Sequence, residues 1–247
     1  LQIPVVDAPC DGRAHPTGIM GSMGLHKDPR YVSIQSAVGK EGVELVVRGP
    51  LAVTASLVRQ AAVQAGGLVA VARNPVSVRY VQEHAAPGAI QQAIALGRAM
   101  IVARPGGGEA VVQAVARELG GTTYGPGIVE RVVLITEGGF DHGTIMIALE
   151  KDAPLELTFW NEYMTLEQNS HRLATFPDLI VTVGMDGFPC SSAEVVKGQR
   201  LYVLTAPQEH LILGSGVRDL TEYRRIETIV QKPLIPYLQD KPGFAFS

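Results

Sequence analysis

From Tyr124 onward the chain consists of short β-like runs parted by turn residues, and this succession constrains its fold more than any other feature. The runs are Ile128 to Thr136, Thr144 to Leu149, Leu155 to Trp160, Leu179 to Val183 and Leu201 to Leu204. Turns at Glu137-Gly138-Gly139, Lys151-Asp152, Met185-Asp186-Gly187 and Lys197-Gly198 separate them. Short strands at such spacing predict a β sandwich or barrel-like domain. A helix over Asp219 to Gln231 closes the chain, with Arg218 and Arg224-Arg225 as its solvated charges.

Upstream of Tyr124 the pattern changes. Ile3 to Val6 reads as a short buried strand, closed by Asp7, and residues 25–42 read as an irregular loop. Gly42 to Arg48 and Leu68 to Ala72 read as strands. Between them Thr54 to Gly66 has helical spacing and is stopped by Gly66-Gly67. Asn74-Pro75 has the form of an N-cap followed by a first-turn proline, opening a helix to His84. From Ala89, the residues Ile90, Ala93, Ile94, Gly97 and Ile101 share one helical face, and Gly97 implies close approach of another backbone. The Gly-rich Arg104 to Gly108 lacks the Lys-Ser/Thr ending of a phosphate loop and reads as a connector to a helix over Glu109 to Leu119. The expected fold class is α/β followed by mainly β, a two-domain α+β architecture. Residues 1–125 form the α/β domain, and residues 126–247 form a mainly β domain with a C-terminal helix.

Composition excludes several function classes. With a net charge of -3 and no Lys/Arg cluster, the chain offers no electrostatic footprint for nucleic acid or an anionic membrane. Hydrophobic residues at 46% and charged residues at 18% mark a globular chain with a real core. No signal-peptide pattern or apolar run of spanning length is present, so the expected location is cytoplasmic. Two cysteines and six scattered histidines form no metal-knuckle spacing. A chain that opens with Leu1, almost directly into a strand, suggests a fragment or processed product, with the α/β domain incomplete at its N-terminus.

Three places carry candidate chemistry. In the opening stretch IPVVDAPCDGRAHP, Asp7, Cys10, Arg13 and His15 follow a strand end, where α/β proteins commonly bind ligands. The plain alternatives are an Asp7–Arg13 pair across a turn, a buried Cys10 and a hydrogen-bonded turn residue at His15. In Glu137 to His142, Gly138 and Gly139 permit a tight turn or close ligand approach, which a hairpin tip explains equally well. Asn161-Glu162 follows the apolar strand ending at Trp160 and needs polar partners.

Five segments, in order along nearly the whole chain, resemble the DUF917 family of S-methyl-thiohydantoin desulfurase-like, hydantoinase-associated proteins. They are IPVVDAPCDGRAHP, AIQQAIALGRA, GIVERVVLITEGGFDHGTIMI, LELTFWNEYM and FPDLIVTVGMDGFP. Members of that family carry a further upstream portion with a Gly-rich segment, which this sequence lacks. The position of His15 is commonly aromatic there, which argues against a family-wide role for it.

The resemblance implies hydrolytic chemistry on a five-membered cyclic thio-imide or imide, with zinc as the expected cofactor. Such chemistry needs an activated water, stabilised negative charge and a protonated leaving thiol. Asp7, Arg13 and His15 are the expected catalytic residues, and Asp7, Cys10 and His15 the expected metal ligands. Arg13, Gly138, Gly139, Asn161 and Glu162 are expected to bind a small-molecule substrate. The alternative is a non-catalytic subunit or metabolite-binding partner of a hydantoinase- or oxoprolinase-like complex. A homo-oligomer is expected in either case.

Overall fold

A computed structural model describes residues 4–247. Two antiparallel sheets organise it. A small sheet, in the order β2-β1-β3, comprises β1 (Ser33–Gly39), β2 (Glu44–Gly49) and β3 (Val69–Arg73). Helix α1 (Leu51–Gln64) covers one of its faces. Helices α2 (Val78–His84), α3 (Ala89–Ala103) and α4 (Gly107–Leu119) follow.

The second sheet has eight strands in the order β10-β9-β11-β4-β5-β6-β7-β8. They are β4 (Thr122–Glu137), β5 (Phe140–Leu149), β6 (Leu155–Trp160), β7 (Glu162–Gln168), β8 (His171–Thr175), β9 (Leu179–Gly184), β10 (Pro189–Cys190) and β11 (Arg200–Ala206). The sheet curls until β7 meets β9, where the Tyr163 and Thr182 hydroxyls hydrogen-bond at 3.0 Å. Its concave side encloses a core of Val129, Ile145, Ile147, Leu157, Phe159, Leu166, Leu201 and Val203. This is the barrel-like domain expected from the strand spacing.

Each outer flank of that sheet carries a helix. The apolar stripe of α4 (Val111, Val112, Val115, Leu119) packs on Val183, Tyr202 and Leu204 of β9 and β11. Helix α5 (Leu220–Val230) buries Leu220, Tyr223, Ile226 and Val230 against Trp160, Met164 and Phe176. Asp219 caps α5 by accepting from the Thr221 amide at 3.0 Å. Packing therefore crosses residue 125: α4 belongs to the large sheet, and Met20 of the opening segment lies in the core beneath α5.

Four local expectations are corrected. The opening residues are not a buried strand. Ile3 lies outside the described residues, and Val5 and Val6 are exposed, irregular backbone. Pro4 and Pro9 remove donors a strand would need, and the chain instead runs beside the start of α3, where the Gly88 amide donates to the Asp7 carbonyl at 2.9 Å. The segment expected as a loop contains β1. Its inward residues Ser33 and Gln35 are polar, so apolar alternation hides the strand. They bond to each other and to Thr54 and Asn74, with Gln35 donating to Thr54 Oγ1 at 2.9 Å and Ser33 to Asn74 Oδ1 at 2.7 Å.

The shared face of α3 is not buried either. Ile94 and Ile101 are exposed, and no described atom lies within 4 Å of where a side chain on Gly97 would begin. Asn74 likewise is not a helix cap. It sits at φ 53° just after β3, a conformation asparagine tolerates better than most residues, while Ser77 caps α2 by accepting from the Tyr80 amide.

Leu157→Ala, in the closed core of the large sheet, should cost about 2–5 kcal/mol. Ile101→Ser on α3 should change stability by no more than about 0.5 kcal/mol. Chemical denaturation of the two variants checks the contrast.

Candidate functional site

The structure separates the opening stretch into pieces with different duties. Asp7 Oδ1 accepts from the Ile90 amide at 2.8 Å and the Gln91 amide at 3.4 Å, so its carboxylate caps the first turn of α3. Arg13 is half-buried beside the start of β9. Its Nη1 donates to the carbonyls of Pro177 and Asp178, each at 2.5 Å, and its guanidinium lies 4.4 Å from the Phe176 ring centroid. Burial lowers its proton affinity, and the charges of Glu162 and Asp11 act to restore it. Burial raises the Glu162 pKa, and Arg13 pulls it back.

His15 shares a hydrogen bond with the Thr17 carbonyl at 2.8 Å through Nδ1. Burial and the nearby Arg73 charge both lower its proton affinity. Burial raises the Cys10 pKa, and Arg73 offsets part of that rise. Among the described residues no group of three or more His, Cys, Asp or Glu side chains is arranged to hold a metal. Asp7, Cys10 and His15 thus do not converge as a ligand set. The cause is visible in their partners: Asp7 turns to α3 while His15 turns to its own loop.

A cleft of about 740 Å³ opens where α1, β3, the β4–β5 hairpin, Trp160 and α5 meet. The loop Thr17–Ile19 forms one of its walls. The hairpin tip is a two-residue Gly138-Gly139 loop with both φ positive (59° and 77°) and Glu137 paired with Phe140, as tight hairpins of this hand require. It is both a hairpin tip and part of a site, since Glu137, Gly138, Phe140 and His142 all line the cleft.

Three guanidinium groups face this space, from Arg59 on α1, Arg73 at the end of β3 and Arg225 on α5. Arg59 is held by the carbonyls of Gly139 (2.7 Å) and Pro16 (3.3 Å), and it lies 3.7 Å from the Phe140 ring centroid. Phe140 in turn stacks on Trp160 at 4.7 Å. Burial lowers the proton affinity of Arg59, and the charges of Arg225 and Arg73 lower it further. Gly21 gives His15 and Arg73 their room: a side chain there would begin 2.3 Å from the His15 ring and 3.1 Å from the Arg73 guanidinium.

Of the expected substrate residues, Gly138 lines the cleft and Gly139 anchors Arg59 through its carbonyl. Arg13 is held by the carbonyls of residues 177 and 178 instead, and Glu162 acts on it through its charge. Asn161 is a turn residue at φ 55° whose Oδ1 accepts from the Asp141 amide. The three arginines were not legible as a group, because residues 59, 73 and 225 are brought together only by packing. Arg225 had the appearance of an ordinary solvated helix charge.

The fold and cleft define an α+β protein with a curled antiparallel sheet and a cationic recess sized for a small polar ligand. Residues 51–215 match the family of S-Me-THD-like C-terminal domains, and the chain belongs to that family. No curated protein and no solved structure gives a significant match.

Asp11, beside Arg13 in sequence, was missed as a special residue. It is only 7% exposed, and Oδ1 accepts from the Gly12 and Gly214 amides, while Oδ2 has no partner among the described residues. Burial outweighs these bonds and pushes its pKa up to about 7. Between about pH 4 and pH 7 the folded protein therefore holds a proton that the unfolded chain has released. Asp11's contribution to stability is then complete at low pH and is lost as pH rises through 7. Asp11→Asn, which mimics the protonated carboxyl, should match the parent near pH 4 and exceed it by about 1–4 kcal/mol at pH 8. Urea unfolding across pH 4–8 checks this, and a variant less stable than the parent at pH 8 would contradict it.

Proposed function

We propose that this protein is a hydrolase-like desulfurase acting on a thiohydantoin- or hydantoin-type small molecule, with the arginine-lined cleft as its substrate site. The carrying observation is that most of the cleft wall, from Ala52 to Trp160, comes from the family-matched residues 51–215. Its volume suits a small heterocycle. Desulfuration begins when water oxygen bonds to the ring carbon bearing sulfur and the double-bond electron pair moves onto the adjoining heteroatom. One proton of the added water goes to that heteroatom and the other to the sulfur, the C–S bond breaks, and the carbon keeps a C=O bond. The products are the oxygenated ring and a thiol or hydrogen sulfide.

Within the cleft, His142 is the side chain suited to take a proton from the water and return it to the sulfur. The cationic walls favour the negative charge that develops as water adds. The zinc implied by the resemblance finds no fitting donor set among the described residues. Arg13 acts at a distance from the chemistry, by holding the opening segment against residues 177 and 178.

A subunit role in a hydantoinase-like complex or a homo-oligomer is favoured by one observation. Ile94, Ile101 and Val102 on α3, and Ile34, Val38 and Val46 on the small sheet, present apolar surface to solvent. Among the described residues no helix is long and apolar enough to cross a membrane.

Thiol release from an S-methyl-thiohydantoin, followed with a thiol reagent, tests the proposal. His142→Ala should lower kcat by about 100-fold, and an unchanged rate removes His142 from the chemistry. No release by the parent protein under any buffer condition favours the subunit role instead.

A further inference from the structure

We infer that the cleft contains a carboxylate subsite, with Arg73 and Arg225 as its ligands and Arg59 as a fixed cationic wall. The protein would thus prefer hydantoin-type rings that carry an acidic side chain. The nature of the ring rests on the function proposed above; the anion preference rests on the cleft alone.

Gathering like charges is unfavourable unless something of opposite sign offsets it. Here three elements far apart in sequence each deliver a guanidinium to one recess, in a chain whose net charge is -3. General basicity therefore does not explain the grouping. Glu137 is the only carboxylate on the cleft wall, and it forms no ion pair with the three among the described residues.

The arginines divide by their state. Arg59 gives one donor of each terminal nitrogen to a backbone carbonyl and its face to Phe140, so it is held in place. Arg73 and Arg225 donate no side-chain hydrogen bond and join no ion pair among the described residues. Their forks are available. Arg225 lies 5.4 Å from the Trp160 ring and 5.8 Å from Phe140, which keeps it near the recess. Arg73 is set by Asn74, whose amide donates to the Ile34 carbonyl at 2.9 Å and whose side chain accepts from Ser33.

A planar guanidinium pairs with a carboxylate through two parallel hydrogen bonds. Two available guanidinium groups beside a third, fixed one complement one small anion. Phosphate offers similar oxygen spacing, and a direct comparison separates the two.

The test is calorimetric binding of 5-hydantoinacetic acid, neutral 5-methylhydantoin and inorganic phosphate at low salt. The acid should bind at least about 10-fold more tightly than the neutral ring, the equivalent of about 1.4 kcal/mol. Arg73→Gln and Arg225→Gln should each erode that preference, and Arg225, exposed on α5, can be changed without disturbing the core. Equal binding of acid and neutral ring, or a preference that survives in both variants, overturns the inference. So does the absence of binding by any anion. Phosphate binding more tightly than the acid overturns the carboxylate assignment. A neutral thiohydantoin that is desulfurated without acid preference leaves the proposed function standing, whereas acid preference without thiol release sinks that function and keeps the subsite.

Discussion

A guanidinium does not shed its proton at any ordinary pH, so once buried it must be given acceptors and compensating charge. Arg13 meets that demand with the carbonyls of Pro177 and Asp178, the ring of Phe176 and the nearby carboxyls of Glu162 and Asp11. The consequence is a fixed seam. The opening segment cannot leave the large sheet without exposing a core that includes Met20, or stripping the charge of its partners. Because Thr17–Ile19 continue that segment into the cleft wall, the seam also sets one side of the candidate site.

The opposite side is set by a different device. In the small sheet, polar residues point inward and are joined by hydrogen bonds among Ser33, Gln35, Thr54 and Asn74. Hydrogen bonds in a buried, low-dielectric setting strengthen one another and hold such a group in place. It fixes the exit of β3, and with it Arg73. Helix α1 sits on the same sheet and presents Arg59 toward the hairpin, where the Gly139 carbonyl accepts it. The cleft is thus the meeting place of two separately stabilised units, bridged by the hairpin and α5.

Legibility followed the range of the interactions involved. Five strands of the large sheet, β4, β5, β6, β9 and β11, were readable because apolar runs and turn residues are local signals. So were α1 and α5, and so was the Gly138-Gly139 tip. Strand β1 was not, since its buried face is polar and its exposed face carries Ile34 and Val38. Strands β7 and β8 were also hidden, lying between a well-marked strand and a turn without a clear pattern of their own. The helical face on α3 was real in its spacing but misleading in its burial, because periodicity states which residues align and not what covers them. At the site, the hairpin residues were identifiable, whereas the arginines and the raised carboxyl of Asp11 were not.

The amino-acid order by itself marked α1, α5 and five strands of the large sheet, a mainly β region after residue 125, and the Gly138-Gly139 turn. These depend on backbone preferences and periodicities spanning a few residues. Only the tertiary structure decided that Asp7 is a helix cap, that Arg13 is a half-buried clasp, and that Arg59, Arg73 and Arg225 share one recess. The physical reason is that charge has meaning only relative to its surroundings. A guanidinium in water, one under a sheet and one facing two others are the same letter in the sequence, and packing alone sets their solvent, their partners and their distances.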